Sequence, residues 1–181
     1  VVQGAELMIA DDDGNEVAIG EVGELLLRTR STIRGYYRNP EASAQEFSNG
    51  FWKSGDLGFR DPEGYITIVD RKKDMIITGG FNVYAIEVEN TLNSHPAVVM
   101  SAVVGIPHEE WGESIHAEII LRPDQAPSEA ELIDFAKTRI GRHKVPKSIT
   151  FVAELPLSPA HKVLRRKVRD KYWSSQSRSI A

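Results

Sequence analysis

Four clusters in this sequence have side chains and spacing that chemistry could use. In Trp52-Lys53-Ser54-Gly55-Asp56 the glycine lets backbone approach a ligand, and the carboxylate beside it can accept hydrogen bonds from two sugar hydroxyls. The same residues suit an ordinary surface turn. Asp70-Arg71-Lys72-Lys73-Asp74 carries five charges and leads through an apolar, strand-like segment into Gly79-Gly80-Phe81-Asn82. There the glycine pair clears side chains from the path of a ligand or of another chain. A solvated charged face is the plain alternative. Gly-Gly-Phe-Asn is not a phosphate-cradling P-loop, since it lacks the Gly-Lys-Ser/Thr ending and the helix that follows it.

The third cluster runs from Pro156 through Ser158, Pro159, Ala160 and His161 to Lys162 and Arg166. Its lysine ends a loop restrained by two prolines, a position from which an ammonium can neutralise charge building on phosphate oxygens during nucleotidyl transfer. Cations at the start of the helix that follows oppose its dipole unless anions or carboxylates compensate. The fourth, Arg142-His143-Lys144-Val145-Pro146-Lys147, is a basic turn that could hold nucleotide phosphates or remain solvated.

The elements that must position these clusters change character along the chain. Short apolar runs at 7–9 and 24–27, separated by Asp- and Gly-rich turns, read as a β-meander. Asp61-Pro62-Glu63-Gly64 reads as a turn before a β-branched strand at 65–69. A domain boundary is expected at the charged run, giving domains 1–72 and 73–181. Beyond it, residues 85–92 suit a short helix, 97–104 a buried strand ending at Gly105-Ile106-Pro107, and 118–121 the next strand. Ser128 with Glu131 is a capping-box signature, opening a helix with Leu132, Ile133, Ala136 and Ile140 on one side and Gly141 as its stop. A strand at 149–152, a loop at 156–161 and a basic helix at 164–173 complete an α+β fold.

Composition sets the outer limits. The 181 residues are 41% hydrophobic and 27% charged, enough for one ordinary domain or two small ones. A net charge of −4 argues against a general nucleic-acid binder, although the stretch 162–169 is locally basic and needs its own explanation. With no cysteine there is no disulfide framework or thiolate metal site, and a cytoplasmic setting is expected. There is no apolar stretch of membrane-span length and no signal peptide, and the start at Val1 without Met reads as a fragment or processed chain.

Taken in order, the clusters resemble the signature series of adenylate-forming enzymes, the superfamily of acyl- and aryl-CoA synthetases and peptide-synthetase adenylation domains. Gly23-Glu24-Leu25 with Gly35-Tyr36-Tyr37-Arg38-Asn39-Pro40-Glu41-Ala42 resembles the end of the large N-terminal domain; 52–56 resembles its ribose motif, and 70–89 the hinge and thioester loop. The resemblance implies a β-rich tail of the AMP-binding domain followed by a mobile α+β domain with a short, mostly antiparallel sheet flanked by helices. It implies that Asp56 and Arg71 hold the ribose of ATP or AMP and that Lys73 is the hinge. Gly79, Gly80, Phe81 and Asn82 would line the pantetheine channel of coenzyme A, and Lys162 would contact the acid carboxylate and α-phosphate. Trp111, Lys144 and Lys147 resemble positions near CoA. Magnesium is expected with ATP, its ligands outside these residues.

The implied activity is that of an acyl-CoA synthetase, with a fatty acid as the expected substrate and the protein's own N-terminal domain as partner. The family most often has glycine before the catalytic lysine, where this chain has His161. Its phosphate loop, its ATP-contacting Tyr-Gly-x-Thr-Glu segment and its acid pocket are absent here, so the chain alone is not expected to adenylate. The alternatives are a peptide-synthetase adenylation domain and a non-catalytic α+β module whose basic terminal helix meets an acidic partner.

Overall fold

The computed structural model describes residues 4–173 and divides into two compact units, Val1–Lys73 and Asp74–Ala181. In the first, β1 (Ala5–Ala10) pairs antiparallel with β2 (Gly23–Thr29), and β2 pairs antiparallel with β4 (Phe51–Arg60). The short β3 (Phe47–Ser48) and β5 (Ile66–Arg71) also pair antiparallel with β4. Ile9, Ala10, Leu25, Leu26 and Leu57 are its buried apolar residues.

The meander reading omits α1 (Pro40–Glu46), whose signals are nevertheless local. Asn39 caps it, accepting from the Ala42 N–H at 3.0 Å, and Pro40 occupies the first turn, where its missing N–H costs nothing.

The second unit is an α/β/α sandwich. Its sheet runs in the order β10-β9-β6-β7, with β8 on β9: β6 (Ile76–Thr78), β7 (Phe81–Val83), β8 (Val98–His108), β9 (Gly112–Leu121) and β10 (Ser148–Phe151). All pairings are antiparallel except β9 with β10. The helices are α2 (Ala85–Asn93), α3 (Glu129–Lys137) and α4 (Arg165–Trp173). Strand alternation divides the core between two faces. Val103, Ile115, Ala117 and Ile119 pack with Val88, Leu92, Leu132 and Ala136 of α2 and α3. Ala102 and Val104 instead pack with Leu155 and with Val168 of α4.

Three boundaries differ from the sequence reading. β8 continues through Gly105-Ile106-Pro107 to His108, because its register with β9 persists to the His108–Gly112 pair. Among the described residues only β9 pairs with β8, so a proline is tolerated there. β9 starts at Gly112 and not at 118; its alternation of Ile115, Ala117 and Ile119 with polar residues hides it from a search for apolar runs. α3 has the expected capping box at Ser128 and Glu131 but ends at Lys137 with Thr138 as C-cap. Gly141 is therefore not its stop, and Ile140 packs on the core from beyond the helix.

Candidate functional site

In the first unit the 52–56 cluster lies in strand, within β4, so the turn reading is corrected. Between Glu24 and Leu26 of β2, β4 advances from Leu57 to Lys53, a bulge containing Ser54, Gly55 and Asp56. Gly55 has φ +73° there, a conformation glycine adopts at little cost. On the other side of β4, Asp56 faces Arg71 of β5 as its cross-strand partner, with Arg71 Nε 3.4 Å from Asp56 Oδ1. The guanidinium is well exposed and the carboxylate half-buried, so both retain capacity for a ligand bearing hydroxyls.

Behind this pair, buried Glu24 accepts from the Gly55 N–H at 3.2 Å and from Lys72 Nζ at 2.9 Å. Lys72 also bridges to Asp12 at 2.8 Å. Partial burial would lower the Lys72 ammonium, but the hydrogen bonds to Asp12 and Glu24 outweigh it and hold its pKa above the usual lysine value. Lys73 is exposed in the one-turn helix Lys72–Asp74 and is the last residue of the first unit.

In the second unit, Gly79 and Gly80 form the two-residue turn of the β6–β7 hairpin, with φ +55° and +83°. Positive φ at both central residues is the requirement of the type I′ turn, whose twist matches the flanking strands. The Gly79 N–H donates to the Trp111 carbonyl at 3.0 Å, tying this turn to the one between β8 and β9. The Trp111 indole stacks on His108 with centroids 4.2 Å apart, and Lys147 Nζ lies 5.6 Å from its ring centroid. Phe81 is exposed and meets His143 at 4.9 Å. Asn82 pairs with Ile77 in the hairpin.

Gly79, Gly80, Phe81, Trp111 and Lys147 thus share one aromatic and cationic end of the sheet, whereas Lys144 is held by both oxygens of Glu87 at 2.8 Å. That arrangement can stack a flat heterocycle and receive a phosphate.

Lys162 is exposed and makes no ion pair among the described residues. Its loop is closed by backbone bonds from Ser158 N–H to the Lys162 carbonyl at 2.8 Å and from Leu164 N–H to the Pro156 carbonyl at 2.8 Å. The Ser158 hydroxyl accepts the Lys162 N–H at 3.1 Å. His161 has φ +56°, the left-handed conformation that glycine enters freely and other residues enter at a cost.

Three cations of the basic helix α4 pair with carboxylates elsewhere in the second unit, while Arg166 and Lys167 stay exposed. Arg169 pairs with Glu113 at 2.8 Å and Lys171 with buried Glu118 at 2.8 Å. Arg165 pairs with Glu89 and Asp74, which supplies the carboxylate compensation that a cation at a helix start requires. Tyr172 donates to Glu118 at 2.9 Å; its oxygen is therefore left to accept from His116 Nε2 at 2.9 Å, and His116 Nδ1 accepts from Ser148 at 2.7 Å. Burial, then the Glu118 carboxylate, push the Tyr172 hydroxyl up to about 12. Sequence reasoning found these cations but not their partners, which lie 53 to 91 residues away.

Comparison with known proteins adds the following. The AMP-binding enzyme C-terminal domain family matches residues 87–162. The fatty acid–[acyl-carrier-protein] ligase ScoC of Streptomyces coeruleorubidus is 37% identical over 98% of this chain, and 34% of its own length is covered. A long-chain-fatty-acid–CoA ligase of Escherichia coli O157:H7 is 40% identical over 94% of the chain and is covered over 30% of its length. The crystal structure of ATP-bound MatB from Rhodopseudomonas palustris superposes with a TM-score of 0.88 at 35% identity, covering 93% of this chain and 34% of that one. The chain therefore spans about a third of the length of the curated relatives it matches.

Proposed function

We propose, from the match of residues 87–162 to the AMP-binding enzyme C-terminal domain family, that this chain works within a longer AMP-forming acid–thiol ligase. In the first half-reaction a carboxylate oxygen attacks the α-phosphorus of ATP, forming acyl-AMP and releasing pyrophosphate. In the second a thiol attacks the acyl carbon, and AMP leaves as the thioester forms and the thiol proton is lost. The observation that carries the proposal is the Asp56–Arg71 pair. Register alone sets a carboxylate and a guanidinium side by side on neighbouring strands, both accessible, beside a glycine-containing bulge.

In this reading Asp56 and Arg71 take the ribose hydroxyls, and Lys162 supplies positive charge to the acid carboxylate and α-phosphate as negative charge develops. The Gly79–Gly80 turn, with Phe81 and Asn82, borders the pantetheine arm of CoA; Trp111 and Lys147 take its nucleotide end. Lys144 contributes less directly, because Glu87 already holds its ammonium. Lys73, where the chain passes between the units, is the pivot by which the second unit serves each half-reaction in turn. The β-rich first unit is then the tail of the AMP-binding domain, with the phosphate loop and acid pocket supplied from outside these residues. The described residues contain no grouping of three or more acidic or histidine side chains able to hold a metal ion, and no step here is assigned to the magnesium that accompanies ATP.

A fatty acid is the proposed substrate, supported by the two relatives named for fatty acids. The relative named for an acyl-carrier-protein acceptor favours a second reading in which the thiol is carried by a protein; exchanging free CoA for a carrier-bound arm distinguishes the two. A non-catalytic module using its basic helix has fewer cations to offer, because Arg165, Arg169 and Lys171 are paired with carboxylates and Arg166 and Lys167 are left exposed. The test of the main proposal is Lys162→Ala in the full-length enzyme. Acyl-AMP formation, followed as pyrophosphate release, should fall by at least about a hundredfold, with thioester formation from supplied acyl-AMP retained. Equal loss of both would refute the assignment.

A further inference from the structure

The loop that carries Lys162 is anchored in two different ways. Its apolar anchors, Leu155, Val163 and Val168, sit in the small core cluster beneath α4. Such contacts fix depth but are non-directional. Its polar anchor is Arg165, three residues past the lysine. Arg165 Nε donates to Glu89 Oε1 at 2.8 Å and Nη2 to Glu89 Oε2 at 2.5 Å, a two-pronged bond that sets the plane of the guanidinium. The third prong, Nη1, donates to Asp74 Oδ2 at 3.2 Å. Glu89 is itself fixed, lying buried on α2 and accepting the Val103 N–H of β8 at 3.0 Å through Oε1.

We propose that Arg165 is a positioning residue for Lys162. Its guanidinium locks the exit of the lysine loop to α2 and to Asp74, the first residue of the second unit, so that Lys162 moves with the chain that leaves the boundary and not independently of it. The inference rests on the function proposed above for Lys162. It assigns to Arg165 no contact with substrate, and it accounts for a buried charge cluster that packing alone does not require: an Arg–Glu pair taken from water adds little net stability over an apolar pair, but its geometry is fixed.

The test is Arg165→Lys in the full-length enzyme, which keeps a cation against Glu89 and loses the fork. Acyl-AMP formation should fall about ten- to a hundredfold, the scale of a misplacement of roughly 1 Å, while thioester formation from supplied acyl-AMP stays within about twofold of wild type. The double variant with Lys162→Ala should be no slower than Lys162→Ala alone, because Arg165 acts through that lysine. If Arg165→Lys does not fold, Asp74→Ala removes one prong at a partly buried position and should reproduce the selective loss in weaker form.

Equal slowing of both half-reactions, wild-type adenylation, or additive losses in the double variant would each overturn the inference. Lys162→Ala run alongside separates the two levels. If that variant is itself unselective, the functional reading falls and takes this inference with it. If it is selective and Arg165→Lys behaves as wild type, only the role of Arg165 falls.

Discussion

Replacing His161 by valine should slow acyl-AMP formation by up to about tenfold, and replacing it by glycine should not. The residue has φ +56°, a conformation costing an L-residue roughly 1–2 kcal/mol relative to glycine and more when the side chain is β-branched. The surrounding bonds over-determine that conformation: the His161 N–H donates to the Ser158 carbonyl at 2.9 Å, and two further backbone bonds close the loop on either side. Valine adds about 1.4 kcal/mol of further strain to the closed loop, which lowers the equilibrium constant for closing about tenfold and the fraction holding Lys162 in place by up to that factor. Glycine relieves the strain but gains freedom when the loop opens, and these effects offset to within about 1 kcal/mol. Pyrophosphate release by the full-length enzyme reads the first half-reaction, and thioester formation from supplied acyl-AMP is the internal control. Valine adenylating at the wild-type rate, or glycine losing as much as valine, would refute the argument from backbone strain.

Two further outcomes follow from other parts of the fold. Gly80→Ala puts a Cβ at φ +83° in the β6–β7 turn, strain of about 1 kcal/mol, and should slow thioester formation while sparing acyl-AMP formation; the reverse bias would remove this turn from the second half-reaction. His116 is held below the ordinary histidine value by burial, against the pull of Glu118 and Glu129, with Lys171 adding to the depression. Its neutral form is favoured when folded, so the stability it contributes is complete above about 6.5 and is lost as pH falls from there through the depressed folded value. The urea midpoint should fall between about pH 7.5 and 5.5, and fall less in His116→Gln; an equal fall would acquit His116.

What could be read beforehand was local. The Ser128–Glu131 capping box, the Asp61–Gly64 turn and the 85–92 helix are written in residues three or four positions apart, and each formed as expected. The Asn39-Pro40 start of α1 is equally local, but no apolar face follows to mark the helix: none of its residues is buried. Register is not local. Local pattern does not say that Asp56 stands opposite Arg71, which only the family resemblance brings to one ligand, nor that Gly55 sits in a strand bulge or that β9 begins at Gly112, since each depends on which strand lies alongside. Burial misleads in the same way at Lys144, a basic-turn residue whose partner Glu87 lies 57 positions away.

The inward-facing charges of α4 also constrain how the chain is made. Glu89, Glu113 and Glu118 leave the ribosome well before Arg165, Arg169 and Lys171, the residues that neutralise them. During that interval the β8–β9 face carries the carboxylates of Glu113 and Glu118 and bare Ala102 and Val104, so the growing polypeptide must keep that face wet until α4 is translated and can dock.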